Sequence, residues 1–196
     1  MIKLVDLLEN KILVPRRSKE ERQKNHQIVI QKKIQQYIKD GSKGDLNLYQ
    51  TPIAYLPNNL KKVGGFLSLY STSITSLPDN LQVEGYLDLA NSKITSLPTN
   101  LEVGGFLDLR NALITSLPNH LKVGGNLYLS NSKITSLPND LKVRESLYLK
   151  NTEITSLPNN LQVKENLYLR NTPISKKYSE EEIRKMVPGV KGEVII

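Results

Sequence analysis

The chain has no cysteine, and only two histidines and two phenylalanines, among its 196 residues. Without cysteine there is no disulfide framework, no thiolate zinc site and no cysteine nucleophile. His26 lies in the N-terminal segment and His120 in a repeat array whose units contact only their neighbours, so neither a histidine metal cluster nor a charge-relay triad is expected. We therefore expect a non-enzymatic protein with no catalytic residues, no metal ligands and no cofactor.

Long apolar runs are also missing. No segment approaches the roughly 20 apolar residues that span a bilayer. The first ten residues are interrupted by Asp6 and Glu9, which is not the pattern of a signal peptide or a membrane anchor. A reducing compartment suits a chain without cysteine, and we expect a cytoplasmic protein that makes no membrane contact.

Acidic residues are too few to balance the basic ones, and the formal charge is +8. Residues 1–42 hold 10 Lys and Arg against 5 Asp and Glu, residues 43–174 hold 12 against 10, and residues 175–196 hold 5 against 4. Most of the excess therefore lies at the N-terminus. Solvated lysines on a helix explain such a segment, and contact with phosphate groups is the alternative.

A repeat dominates the rest of the sequence. The pentapeptide Ile-Thr-Ser-Leu-Pro occurs five times, and its isoleucine belongs to a series of seven that are 21 residues apart once and 20 residues apart five times. A period of this length indicates a solenoid. With the isoleucine placed at position 11 of a 20-residue unit, apolar residues recur at positions 4, 6, 11, 14, 18 and 20. The Leu-x-Leu pair at positions 4 and 6 predicts seven short parallel strands, each with one buried face.

These units resemble the leucine-rich repeat family, as in Leu147-Tyr-Leu-Lys-Asn-Thr152-Glu-Ile154. The resemblance covers residues 43–174 and implies a curved solenoid with a parallel β-sheet on its concave face. The Leu-Pro-x-x-Leu segment looks like the short repeats of bacterial secreted effectors and of phage and bacterial proteins, whose convex side is extended chain. Such effectors often carry a ubiquitin ligase domain with a catalytic cysteine. This chain has no cysteine, so that activity does not transfer.

Two rows of the repeat predict turns. Position 17 is occupied by residue types that favour positive φ, which makes His120 a turn residue. Position 9 carries threonine or serine where the family has asparagine, and these hydroxyls can satisfy turn backbone groups. Ala112 cannot do so, and we expect a weak point there.

The two ends differ from the repeats, as the caps of a solenoid must. Ser18-Lys-Glu-Glu21 is a capping box, and the helix that it starts should lay an apolar stripe on the first repeat and end at Gly41. Ser179-Glu-Glu-Glu182 starts a second helix, and the last three residues form a strand on the sheet edge. We predict one folding unit of the α/β repeat-solenoid class, comprising a helical N-terminal cap (1–42), the solenoid (43–174) and a helix-strand C-terminal cap (175–196).

Function must come from positions that vary between repeats. Positions 3, 5 and 7 face outward between the buried leucines on the predicted concave sheet. Stacking between neighbouring aromatic residues would stabilise the sheet, but exposed apolar patches also mark interaction sites. The candidate partner-binding residues on this face are Phe66, Tyr86, Asp88, Phe106, Asp108, Arg110, Tyr128, Tyr148, Lys150, Tyr168 and Arg170.

We expect a protein-protein interaction module that binds a macromolecular partner on this face. If the gene is phage-borne or bacterial, the module would inhibit or adapt a host factor in the host cytoplasm. Nucleic-acid binding is the first alternative, with the tyrosines stacking on bases and the basic residues on phosphates. A structural scaffold that self-associates is the second. Asp88 and Asp108 could also form a carboxylate pair or a weak cation site.

Overall fold

The structure is a computed structural model that describes residues 18–196, so the expectation for the first ten residues lies outside the described residues. One long helix, α1 (Lys19–Lys39), precedes a run of two-residue strands. The strands alternate between two sheets, and two short helices and a last strand follow them. In chain order these are β1 (Leu46–Asn47), β2 (Lys62–Val63), β3 (Leu67–Ser68), β4 (Gln82–Val83), β5 (Leu87–Asp88), β6 (Glu102–Val103), β7 (Leu107–Asp108), β8 (Lys122–Val123), β9 (Leu127–Tyr128), β10 (Lys142–Val143), β11 (Leu147–Tyr148), β12 (Gln162–Val163), β13 (Leu167–Tyr168), α2 (Pro173–Lys177), α3 (Glu180–Met186) and β14 (Val194–Ile195).

The first sheet contains the predicted Leu-x-Leu strands. Its order is β1-β3-β5-β7-β9-β11-β13-β14, and every pair is parallel and in register, so that Leu87 lies beside Leu67 and Leu107. Leucines at positions 4 and 6 are at most 1% exposed throughout, because they point into the column that the turns enclose. The expectation of a parallel sheet over a stacked aliphatic core is confirmed.

A second sheet was not predicted. It consists of β2, β4, β6, β8, β10 and β12, the residues at positions 19 and 20 of each unit, again parallel and in register. Its valines are buried and alternate with exposed residues such as Lys62 and Lys122. A strand of two residues contributes one apolar position, which is too little for a period-two pattern to appear in the sequence.

The segments that return from the first sheet to the second contain no helix, as the short unit requires. The turn prediction was only half right. Positive φ occurs at Asn80 and His120 of position 17, but not at the other residues of that row. It occurs instead along the whole of position 8, at Gln50, Ser71, Asn91, Asn111, Asn131, Asn151 and Asn171, where the chain leaves the first sheet.

At position 9, the threonine hydroxyls donate to the carbonyl three residues earlier, for example Thr72 Oγ1 to Leu69 O at 2.7 Å. Ala112 keeps only the backbone bond from its N–H to Leu109 O, at 3.1 Å. The weakness expected there remains a prediction.

Helix α1 caps the first turn of the solenoid. Ser18 and Glu21 form the predicted capping box, and Ile30 and Ile34 are buried in the core. Gln27 and Gln31, one helical turn apart, donate to the carbonyls of Pro52 and Tyr55, which fixes the helix along the first return segment. None of the helices in residues 18–196 is long and apolar enough to cross a membrane.

The other end is closed by α2, α3 and β14. Ser179 caps α3 as predicted, and β14 pairs with β13 in parallel, so Ile195 lies beside Tyr168. Helix α2 was not predicted, because Thr172-Pro173 reads as a continuation of the repeat. Thr172 instead accepts a hydrogen bond from the N–H of Ser175 and starts a turn of helix whose Ile174 fills the isoleucine position of the core.

Candidate functional site

Aromatic rings form a line across the outer face of the first sheet. In-register pairing places the same position of successive repeats about 4.8 Å apart, which is close to the spacing of stacked rings. Phe66 stacks on Tyr86 with centroids 4.7 Å apart, and Tyr86 stacks on Phe106 at 4.5 Å. This first block stands at position 3 of its repeats.

A second block stands at position 5. Tyr128 stacks on Tyr148 at 4.6 Å, and Tyr148 on Tyr168 at 4.4 Å. The blocks meet where the edge of one ring faces the other, because Phe106 and Tyr128 are 5.9 Å apart at an interplanar angle of 80°. The six rings are therefore one continuous row that shifts by one outward position along the strands. We call the surface that carries them the ladder face.

Stacking changes the exposure of these side chains. The sequence suggested exposed phenylalanines, but Phe66 and Phe106 are half-buried, as are the ladder tyrosines. Burial raises the pKa of Tyr86, Tyr128 and Tyr148, so these hydroxyls are neutral near pH 7. The ladder offers ring edges and neutral hydroxyls to a partner, while neighbouring rings cover much of the ring faces.

Arg110 and Asp108 form an ion pair within this face. Asp108 is 3% exposed, and its two oxygens share the N–H of Arg110 Nε, at 3.0 and 2.9 Å; Oδ2 also accepts a hydrogen bond from a terminal guanidinium nitrogen at 2.5 Å. The carboxylate raises the pKa of Arg110, whose guanidinium also lies 5.3 Å from the centre of the Tyr128 ring. Asp108 and Arg110, both predicted as partner-binding residues, therefore neutralise each other's charge within the fold.

The other carboxylate of the predicted site also has a structural role. Asp88 accepts a hydrogen bond from the N–H of Ala90 at 3.0 Å, as Asp108 does from the N–H of Arg110 and Asn47 from the N–H of Tyr49. In three of the first four repeats, the side chain at position 5 thus accepts a hydrogen bond from the backbone N–H two residues later. Desolvation raises the pKa of Asp88, with a smaller contribution from Asp108. No group of three or more potential metal-ligating side chains occurs within residues 18–196.

Lys150 and Arg170 have a different environment. They stand at position 7 of adjacent repeats, just after β11 and β13, as Arg110 stands just after β7, but position 5 there is tyrosine rather than aspartate. Both are exposed, and neither forms an ion pair within the described part of the chain. The ladder is therefore bordered by two uncompensated cations about 4.8 Å apart in the sheet direction.

Twenty-residue units with buried Leu-x-Leu pairs, in-register parallel strands and helix-free return segments define the architecture. This is a leucine-rich repeat solenoid. No protein-family model matches the chain, and no curated protein matches it. Among solved structures, a leucine-rich repeat protein of Leptospira interrogans is similar, with 25% identity and a TM-score of 0.40; the match covers 76% of this chain and 54% of that one. The chain thus spans about half the length of that protein. The repeat and its packing identify the fold independently of that likeness.

A polar network that the sequence did not predict lies at the edge of the ladder face opposite Lys150 and Arg170. Asn126 donates to Glu145 at 2.5 Å and accepts from the N–H of Ser146 at 2.9 Å, while the Ser146 hydroxyl donates to Glu165 at 3.1 Å. The signal was present, because positions 1 to 3 change from Gly-Gly-Phe before β7 to Arg-Glu-Ser before β11. The two glutamates line the edge of the ladder opposite Lys150 and Arg170.

Some exposed apolar groups were also missed. Tyr49 and Tyr70 stack at 5.1 Å on the first two leucine-rich repeat strands, and Tyr49 is 49% exposed. Ile28, Val29 and Tyr55 are exposed near the N-terminal end. At the other end, Ile195 is half-buried and extends the row of tyrosines by one strand.

A hollow of about 690 Å³ lies on the second sheet, away from the ladder face. Among the residues that line it, Lys122 pairs with Glu102 at 2.5 Å, and Nδ1 of His120 lies 2.5 Å from Asp140. Gly104 also lines it, and a Cβ at this position would overlap the carbonyl oxygen of Glu84 in the preceding turn. The Val-Gly-Gly segments of this leucine-rich repeat are thus sites of close backbone packing.

Proposed function

We propose that this solenoid is a non-enzymatic interaction module that binds a partner protein on the ladder face. The observation that carries the proposal is the row of half-buried rings bordered by Lys150 and Arg170, two exposed cations without an ion pair in the described residues. Aromatic residues and arginine are enriched among the residues that dominate binding energy at protein interfaces. A role as inhibitor or adaptor of a host factor belongs to the same proposal.

Nucleic-acid binding is supported less well. Base stacking needs free ring faces, and the inner rings of both blocks have neighbours on both sides at 4.4–4.7 Å. Arg110, one of the three cations expected to contact phosphates, is held by Asp108. Self-association through the solenoid remains the other alternative.

The absence of cysteine allows a direct test. A single cysteine placed by Ser130→Cys, at position 7 between Arg110 and Lys150, carries a benzophenone maleimide on the ladder face. Lys133→Cys places the same group on the following return segment and serves as the matched control. We expect ultraviolet irradiation in lysate of the source cell to give a protein adduct from the first variant only, identified by mass spectrometry.

The same experiment separates the alternatives. An adduct that disappears after nuclease treatment would identify nucleic acid, and an adduct that contains only this chain would identify self-association. Equal adducts from both labelled positions would contradict a binding site on the ladder face.

A further inference from the structure

We infer that the partner segment is a polypeptide with an acidic edge, which crosses the C-terminal half of the ladder face (β9, β11, β13 and β14) with its carboxylates over Lys150 and Arg170. This inference rests on the proposed function and adds the chemistry and orientation of the partner. It starts from the way in which charge is distributed across the row of rings.

The basic edge follows from one column of residues. Position 7 carries Arg110, Lys150 and Arg170, and only Arg110 has a carboxylate two residues before it on its strand. Lys150 and Arg170 therefore hold positive charge that the described part of the fold does not neutralise. Because a like-charged surface opposite them would be repelled, whereas carboxylates would be attracted, the complementary group is acidic.

The opposite edge carries two carboxylates, each of which follows an exposed cation, Arg144 or Lys164, at position 1. Glu145 and Glu165 stand at position 2, before β11 and β13, and the cations at position 7 follow these strands five residues later, at most about 16 Å away along the chain. Their hydrogen bonds to Asn126 and Ser146 orient both carboxylates beside the ladder, and neither forms an ion pair within residues 18–196. The ladder therefore lies between the cations Lys150 and Arg170 and the carboxylates Glu145 and Glu165, which we call the basic and the acidic border.

The centre is apolar. Tyr128, Tyr148, Tyr168 and Ile195 stand side by side on four strands, a row about 14 Å long. A helix about 10–12 Å across, or an extended segment, fits between the two borders. Apolar side chains of that segment would cover the ring edges, while its acidic edge would meet Lys150 and Arg170.

The acidic border also separates a polypeptide from a nucleic acid. A phosphate backbone carries negative charge at every nucleotide and would be repelled by Glu145 and Glu165. A polypeptide can present carboxylates to one border and neutral or basic side chains to the other. A face with cations on one border and carboxylates on the other therefore favours a polypeptide over DNA or RNA as the occupant.

The test uses displayed peptides, because no partner is identified. A random peptide library is selected on the immobilised full-length chain, and the selected peptides are measured by fluorescence polarisation against the wild type, Lys150→Glu/Arg170→Glu and the control Lys93→Glu/Lys133→Glu. The control makes the same charge change at two exposed lysines on return segments. Thermal melts verify that each variant is folded.

We expect the selected peptides to be rich in Asp or Glu beside aromatic or aliphatic residues. Their affinity should fall roughly tenfold or more on the ladder-face double variant and stay within about twofold on the control. Replacing their acidic residues with lysine should restore binding to Lys150→Glu/Arg170→Glu, since the charge reversal is then made on both sides.

Three outcomes would count against the inference in different ways. Peptides that need Tyr148, as shown by a folded Tyr148→Ala variant, but are indifferent to the two cations would overturn the acidic edge and leave the proposed function standing. Selected peptides that respond to no ladder-face change would count against both. Fluorescent oligothymidine that binds more tightly than every peptide, and is released by Lys150→Glu/Arg170→Glu, would overturn the inference in favour of nucleic acid.

Discussion

The two halves of the first sheet use the same backbone in different ways. In the N-terminal half (β1, β3, β5 and β7), rings stand at position 3, and the carboxylates at position 5 accept backbone N–H groups and hold Arg110. In the C-terminal half, the rings move to position 5, and the cations at position 7 have no carboxylate beside them on their strands.

This difference indicates which half has charged side chains available to contact a partner. A charge that is neutralised inside the fold contributes to stability, while an exposed charge without a partner contributes little to it. Substitutions in the N-terminal half should therefore act mainly on folding. Substitutions at Lys150 and Arg170 should leave folding nearly unchanged and act on binding.

The largest expected effect concerns the turns before the strands. Gly104→Ala, before β7, would push a Cβ into the carbonyl oxygen of Glu84, and backbone cannot move aside cheaply. We expect a loss of about 2–4 kcal/mol in the free energy of unfolding, measured by urea denaturation. Arg144→Ala, at the same repeat position before β11, is the matched control and should change stability by less than about 0.5 kcal/mol. Equal losses at both positions would mean that the turn before β11 tolerates a change no better than the tightly packed turn before β7.

Much of this comparison could be predicted from the sequence. The Leu-x-Leu strands, the helix starts at Ser18 and Ser179, and the columns at positions 3, 5 and 7 follow from periodicity and local chemistry. Periodicity alone did not show which side chains are satisfied by one another. Asp108 is the last residue of β7 and Arg110 follows two residues later, a spacing that places both side chains on one face, and it was a readable signal for their ion pair.

Other features left too little signal in the chain. Each strand of the second sheet contributes a single buried valine. Helix α2 has only five residues, and its first residues follow the pattern of the repeat. The joint between Phe106 and Tyr128 depends on ring orientation, which no spacing rule gives. The polar network around Glu145 and Ser146 could be suspected from the loss of the Gly-Gly pair, but its hydrogen bonds required coordinates.

A medium effect is expected from breaking the internal ion pair. Asp108→Asn retains an oxygen for the N–H of Arg110, as Asn47 does for Tyr49, but removes the charge that holds the guanidinium. We expect a loss of about 1–2 kcal/mol, less than for a fully buried pair because Arg110 reaches solvent. Urea denaturation at low and high salt measures it, and the loss should shrink as salt screens the wild-type pair. A variant as stable as the wild type would show that the N-terminal half does not depend on this pair.

The smallest effect has the opposite sign and concerns the neighbouring carboxylate. Asp88→Asn also retains an acceptor for the N–H of Ala90, but it removes a charge whose burial is unfavourable. Because desolvation raises the pKa of Asp88 in the folded state, the folded protein binds this proton more tightly than the unfolded chain. Binding of this proton stabilises the folded wild type. That stabilisation is fully present below the ordinary aspartate pKa, and it is lost as the pH rises through the pKa of Asp88 in the folded state. At pH 7 the variant should therefore be more stable than the wild type, by less than about 1 kcal/mol since solvent reaches part of the carboxyl group.

Thermal melts at a series of pH values test the sign for Asp88. The advantage of Asp88→Asn should be constant near neutral pH and shrink on acidification toward the ordinary aspartate pKa, where the wild-type carboxyl is protonated in both states. An advantage that grew on acidification would mean that the charged form is favoured in the fold, as expected if Arg110 acted on Asp88 more strongly than burial does. The N-terminal half would then hold Arg110 with two carboxylates rather than one, and its contrast with the free cations of the C-terminal half would be sharper still.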